Sequence, residues 1–271
     1  MHRLMLTLIP CLVLCALAQE PVTPTTHVPP KLNGFTTGKW VGMNAVFQSK
    51  NFDAMLSTDR VLSIQPKVDG KPNGEPVVMR FSIYYSNGKH TVASKLMTIE
   101  RQSPPAMQPS RVEFQGVFDR KEKCSIRILF SDAGVTFSGD VKDPPKLQFP
   151  TVITYSLTFG PSHQIPTETP IEEMKKLTEG YTVKFIEPNR QAKLHGYWDA
   201  VPTRANVAEG QVIGPWGPRR LSIEMPATRE NASRWGGFTN YSVHRFFKGA
   251  WAFYRTGTDK IIPGPLTLRV D

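Results

Sequence analysis

The chain has 271 residues and a formal net charge of +10, with 33 Lys and Arg against 23 Asp and Glu. Cys11 and Cys15 fall in the leading segment, so the mature chain keeps only Cys124 and an intramolecular disulfide framework is excluded. The 24 Pro and 20 Gly suit many short strands and turns better than a helical bundle, and no apolar run after the first segment reaches transmembrane length.

Met1-His2-Arg3 is a basic start, Leu4 to Leu14 is an apolar run too short to span a bilayer, and Ala16-Leu17-Ala18 is a small-x-small cleavage site. Residues 1–18 therefore read as a signal peptide, and the protein is expected to be secreted or periplasmic, with its mature chain starting at Gln19. A lipid anchor is disfavoured because Cys15 follows Leu14 and Cys11 follows Pro10. Residues 19–34, with Pro21, Pro24, Pro29 and Pro30 among Thr23, Thr25 and Thr26, predict an extended, solvated tether.

Residues 35–160 predict a first β-sandwich domain. Val61–Ile64, Val77–Tyr85, Val112–Phe118, Ser125–Phe130, Gly134–Gly139 and Thr151–Phe159 are β-branched or aromatic runs. Asp69-Gly70, Asn73-Gly74 and Asn87-Gly88 are turn pairs, the last predicting a hairpin between Ile83–Tyr85 and Thr91-Val92. Cys124 lies on one of these strands and reads as a buried, inert thiol.

Residues 161–180 predict a linker and one short helix bridging two domains. Thr169 is the expected N-cap and Pro170 sits in the first turn. Glu172 and Glu173 suit the positive helix end, Lys175 and Lys176 the negative one, and Gly180 is the stop. Residues 181–271 predict a second β domain opening on Tyr181–Ile186. A faint repeat sets Gly38-Lys-Trp40 and Leu62-Ser-Ile64 beside Gly196-Tyr-Trp198 and Leu221-Ser-Ile223. Ile99–Arg101 and Val112–Phe114 can likewise be set beside Phe253–Arg255 and Leu266–Leu268. This is what a duplicated β unit would leave, and also what chance would. The fold expected is all-β: antiparallel sandwich or jelly-roll-like units.

Four of the five tryptophans, Trp198, Trp216, Trp235 and Trp251, lie in the C-terminal part among Arg204, Arg219, Arg220, Arg229, Arg234, Arg245 and Arg255. Aromatic faces stack on sugar rings, and guanidinium forks hold carboxylate, sulfate or phosphate. Trp251-Ala-Phe253 reads as core. Trp216 and Trp235, in Gly214-Pro-Trp-Gly-Pro218 and Arg234-Trp-Gly-Gly237, read as loop residues that serve either as a ligand platform or as loop anchors. The candidate ligand-binding residues are Trp216, Trp235, Arg219, Arg220 and Arg234.

Other chemistry is sparse. His195 and Asp199 share a strand face without a third partner, and His244 is isolated. Asp132, Asp140 and Asp143 surround two turns, where carboxylates bind calcium or, more commonly, cap the turn. Asn231-Ala-Ser233 and Asn240-Tyr-Ser242 match the glycosylation pattern, relevant only in a eukaryote. No hydrolase, zinc or phosphate-loop motif is present, so no metal site or cofactor is expected, and the catalytic residues of any activity stay unknown because a facing carboxylate pair is set by tertiary structure. Three functions compete: a non-enzymatic binder of anionic polysaccharide or a cell-envelope surface, a structural or assembly protein of the envelope with a protein partner, and an extracellular glycan hydrolase. The non-enzymatic readings lead. Export argues against a nucleic-acid partner.

Overall fold

The computed structural model describes residues 27–86, 90–159, 169–177, 179–186, 192–196, 205–226, 236–240 and 251–271. In chain order its strands are β1 (Met43–Gln48), β2 (Phe52–Ser57), β3 (Leu62–Val68), β4 (Lys71–Pro72), β5 (Val77–Ser86), β6 (Thr91–Ala93), β7 (Leu96–Gln102), β8 (Ala106–Met107), β9 (Arg111–Phe118), β10 (Lys123–Ser131), β11 (Gly134–Lys142) and β12 (Thr151–Phe159). After helix α1 (Ile171–Leu177) come β13 (Thr182–Ile186), β14 (Ala192–Gly196), β15 (Ala205–Asn206), β16 (Glu209–Ile213), β17 (Leu221–Glu224), β18 (Gly236–Asn240), β19 (Trp251–Thr258) and β20 (Leu266–Val270).

These strands form a β-sandwich. The larger sheet runs β15-β18-β19-β12-β5-β3-β2-β1-β8, with β4 on β3 and β6 on β5; the smaller runs β14-β13-β16-β17-β20-β11-β10-β9-β7. Among the described strands, β1 with β8 is the one parallel pair. Alternation sets which face is buried: in β9 the inward Val112, Phe114 and Phe118 are buried between the polar Arg111, Glu113 and Gln115. Aromatic pairs bridge the sheets, with Phe81–Phe114 at 5.5 Å, Phe47–Phe130 at 5.7 Å and Phe137–Tyr155 at 5.4 Å between ring centres. Cys124 is buried among them.

Several local expectations hold. Asp69 and Gly70 take positive φ (50° and 75°), as a tight turn needs. β5 and β6 form the hairpin, with Tyr85 opposite Val92, while the Asn87-Gly88 turn lies outside the described residues. Helix α1 carries its acids in the first turn and its lysines in the last, and Gly180 has φ 84°.

The division into domains at 35–160 and 181–271 is corrected. β12 pairs with β19 over eight residue pairs, and β11 pairs with β20, so strands from both sides of the 161–180 segment complete each sheet. A single core cluster runs from Leu32 to Val270. The matched repeat segments also sit differently: Ile99–Arg101 and Val112–Phe114 belong to the paired strands β7 and β9, whereas Phe253–Arg255 and Leu266–Leu268 lie in different sheets. The second half of the tether is corrected too. Leu32 is buried and donates its N–H to Thr58 O at 2.9 Å, His27 Nε2 lies 2.7 Å from Leu96 O, and Arg60 Nη1 donates to Pro30 O. Residues 1–26, which include the expected signal segment, lie outside the described residues.

Candidate functional site

Trp216 is fully buried, which corrects its reading as a ligand platform and fits that of a loop anchor. Its Nε1 donates to Glu75 O at 2.8 Å, and Tyr181 meets the indole edge-on at 5.7 Å between ring centres. The glycines of Gly214-Pro-Trp-Gly-Pro218 make this possible. A Cβ on Gly214 would lie 2.4 Å from the indole Cζ3, and Gly217 turns the chain at φ 64°. Arg219 Nε donates to Lys67 O at 2.8 Å, so that guanidinium is partly used in holding the same loop. Arg220 has an exposed side chain, and its backbone pairs with Asp271. Trp235 and Arg234 lie outside the described residues. The structure thus brings Trp216 and Arg219 together as packing elements and leaves Arg220 as the free guanidinium of the described three.

Other C-terminal and polar candidates fall similarly. Arg255 points into the core opposite Tyr155 and donates through Nη2 to Pro226 O at 2.5 Å; burial pushes its pKa down. His195 sits on β14 opposite Val183, while Asp199 and His244 lie outside the described residues. Asp132 and Asp143 lie just beyond opposite ends of the β10–β11 ladder, which is nine residue pairs long, and so roughly 33 Å apart. The three aspartates therefore do not form one site. Among the described residues no group of three or more His, Cys, Asp or Glu could hold a metal ion.

What the fold does assemble is a polar patch on the outer face of the larger sheet. Met79 and Ile83 of β5, Ile153, Tyr155 and Leu157 of β12, and Phe253 of β19 point into the core. The alternate positions point the other way and fall into register. Ser82, Thr154 and Thr256 form one row, and Arg80, Ser156 and Tyr254 form the next. Thr154 Oγ1 lies 3.1 Å from Thr256 Oγ1 and 3.0 Å from the Tyr84 hydroxyl, making one hydroxyl chain across three strands. Burial raises the pKa of Tyr84, and its hydrogen bond to Thr154 opposes that shift. Arg80 and Ser82 are exposed and Ser156 and Tyr254 half-buried, whereas Thr154, Thr256 and Tyr84 are buried and satisfy one another. The outward positions of these three strands carry hydroxyls, two phenols and a guanidinium, and no carboxylate. Chemically this face can donate to and accept from a hydroxyl-rich ligand and attract an anion.

This patch was missed in the sequence because its residues read as the ordinary solvated positions of amphipathic strands. The one available signal was the run of hydroxyls Thr154, Ser156 and Thr158, and nothing local says that β5 and β19 lie on either side of it.

No known family profile matches the chain, and no curated protein matches it. Solved structures similar to it include a galactose mutarotase-like protein from Lactobacillus casei, 11% identical with a TM-score of 0.47, covering 85% of this chain and 99% of that one. A Synechocystis protein is 8% identical with a TM-score of 0.47 (93% and 99% covered), and a galactose mutarotase related enzyme from Lactobacillus acidophilus is 8% identical with a TM-score of 0.42 (83% and 96% covered).

Proposed function

We propose that this is an exported, non-enzymatic β-sandwich protein that binds an anionic polysaccharide or envelope surface through the outer face of β5, β12 and β19. The observation that carries the reading is the accessible row Arg80–Ser156–Tyr254 with Ser82 beside it, set in register with the buried hydroxyls of Thr154 and Thr256. Hydroxyls at strand spacing match the alternating donors and acceptors of a glycan, Tyr254 supplies a ring for stacking, and Arg80 supplies charge. The lack of an acid among these outward positions favours binding over hydrolysis there, since glycoside cleavage uses two facing carboxylates. The basic net charge adds long-range attraction that salt screens.

The test is retention on a panel of neutral and acidic polysaccharides across a salt series, comparing the wild type with Arg80→Ala/Tyr254→Ala. Binding to one polymer that survives moderate salt, weakened about tenfold or more (~1.4 kcal/mol) by the double substitution at unchanged melting temperature, supports the site. Uniform weak binding erased by salt sinks it. That outcome would promote the second reading, an envelope assembly protein, which draws support from the burial of Trp216: an aromatic expected at a ligand surface is spent on packing.

A further inference from the structure

At one end of the sandwich, buried polar atoms converge without partners. Cys124 faces Val141 and Lys123 faces Lys142 at the end of the β10–β11 ladder, and the same register continued by one residue sets Glu122 opposite Asp143. Both continue the inward alternation, Glu122 after Cys124 and Ile126, Asp143 after Val141. Residues directly opposed this way have Cβ atoms about 4.5–5.5 Å apart. Glu122 is 0% exposed, and neither of its carboxylate oxygens has a hydrogen-bond partner. Asp143 uses Oδ2 to accept from the N–H of Thr151 at 3.0 Å, and its Oδ1 is without a partner. Thr151 reaches the same place from the opposite sheet: it is 0% exposed, occupies an inward position of β12, and its Oγ1 is also unpartnered.

The nearby guanidinium does not resolve this. Arg120 stacks over Tyr85, with Cζ 3.8 Å from the ring centre, and donates through Nη2 to Phe149 O at 2.9 Å. Its Nη1 is without a hydrogen-bond partner. An uncompensated buried carboxylate is among the most costly arrangements a fold can hold.

We propose that Glu122, Asp143 and Thr151 form a calcium site that ties the β10–β11 hairpin to the start of β12. The donor set is all hard oxygen: two from Glu122, Oδ1 of Asp143 and Oγ1 of Thr151. Calcium takes six to eight oxygens in flexible geometry, so four from the protein leave positions for water. Magnesium demands a tighter octahedron and gives up water reluctantly, and is disfavoured. The site joins the two sheets, so its occupancy couples to folding. It is independent of the polysaccharide reading.

The test uses the full chain, stripped with chelator and titrated with calcium chloride, with magnesium chloride in parallel. Expected are about one calcium bound per chain by equilibrium dialysis and a melting temperature raised by roughly 5–10 °C at saturation. Glu122→Gln and Asp143→Asn should each abolish both effects, while Glu113→Gln, on the exposed face of the same sheet, should leave them intact. Should the two site variants fail to fold, wild-type stoichiometry and preference over magnesium decide. Absence of saturable calcium binding, equal response to magnesium, or calcium binding that survives Glu122→Gln would overturn the proposal.

Discussion

Trp216 and Glu75 are joined across 141 residues of sequence by one hydrogen bond, indole Nε1 to carbonyl oxygen at 2.8 Å. The indole is thus a strut between the β16–β17 turn and the segment leading into β5. Trp216→Ala should destabilise the protein by about 3–5 kcal/mol, and Trp216→Phe, which keeps apolar volume and loses the donor, by about 1–3 kcal/mol. Urea denaturation measures both, and polysaccharide retention at low temperature should not change. A loss of binding without loss of stability would return Trp216 to the ligand surface.

Gly210 of β16 and Phe253 of β19 come from opposite sheets, and a Cβ on Gly210 would stand 2.5 Å from Phe253 Cζ and 2.6 Å from Cε1. Gly210→Ala should therefore cost about 1–3 kcal/mol by overpacking. Combining it with Phe253→Leu should recover part of that cost in a double-mutant cycle. Simple additivity would mean the two residues do not press on each other.

Lys67 is nearly buried, with its Nζ 2.7 Å from Asp53 Oδ1 across β2 and β3. Removing the acid alone leaves the ammonium buried and unpaired. Asp53→Ala should cost about 3–5 kcal/mol, whereas Asp53→Leu together with Lys67→Met should cost far less. Thermal unfolding of the three proteins checks the ordering.

Burial raises the pKa of Tyr84, Tyr155 and Tyr181 above the ordinary tyrosine range. A group whose folded pKa is raised contributes stability that is fully present below its unfolded pKa, about 10, and is lost as pH rises toward the folded one. Spectrophotometric titration should show these three phenols silent at pH 10.5 and ionising together with alkaline unfolding. Smooth ionisation of all seven tyrosines near pH 10 in the folded protein would contradict their burial.

Much of the fold was legible because it depends on local periodicity. Thr151–Phe159 alternates and became β12, and the Glu172, Glu173, Lys175 and Lys176 pattern marked α1 at its place. Cys124 is buried, with its thiol pushed up by desolvation, and should react with a thiol reagent only in denaturant. What was not legible depends on which strands meet. Nothing within Trp251–Thr258 says that it pairs with β12, so the two-domain division followed chain order instead of sheet order. The loop tryptophan misled for a related reason. Gly-Pro-Trp-Gly-Pro signals a turn, but only Glu75 and Tyr181, distant in sequence, show that the ring is enclosed. Nothing within Lys121-Glu-Lys123 marks Glu122 as interior; only its place beyond the inward positions of β10 does.

The position of β20 has a consequence for biosynthesis. It lies between β11 and β17, so among the described strands one half of the smaller sheet joins the other through residues 266–270. During synthesis the strands on both sides exist before the piece that unites them, and each presents an open edge able to recruit another chain. The folding transition therefore waits on late, long-range pairing, which is intrinsically slow. A holding factor that shields these edges until Leu266–Val270 is available would raise the yield of folded protein, and a nascent chain stalled before Leu266 would aggregate.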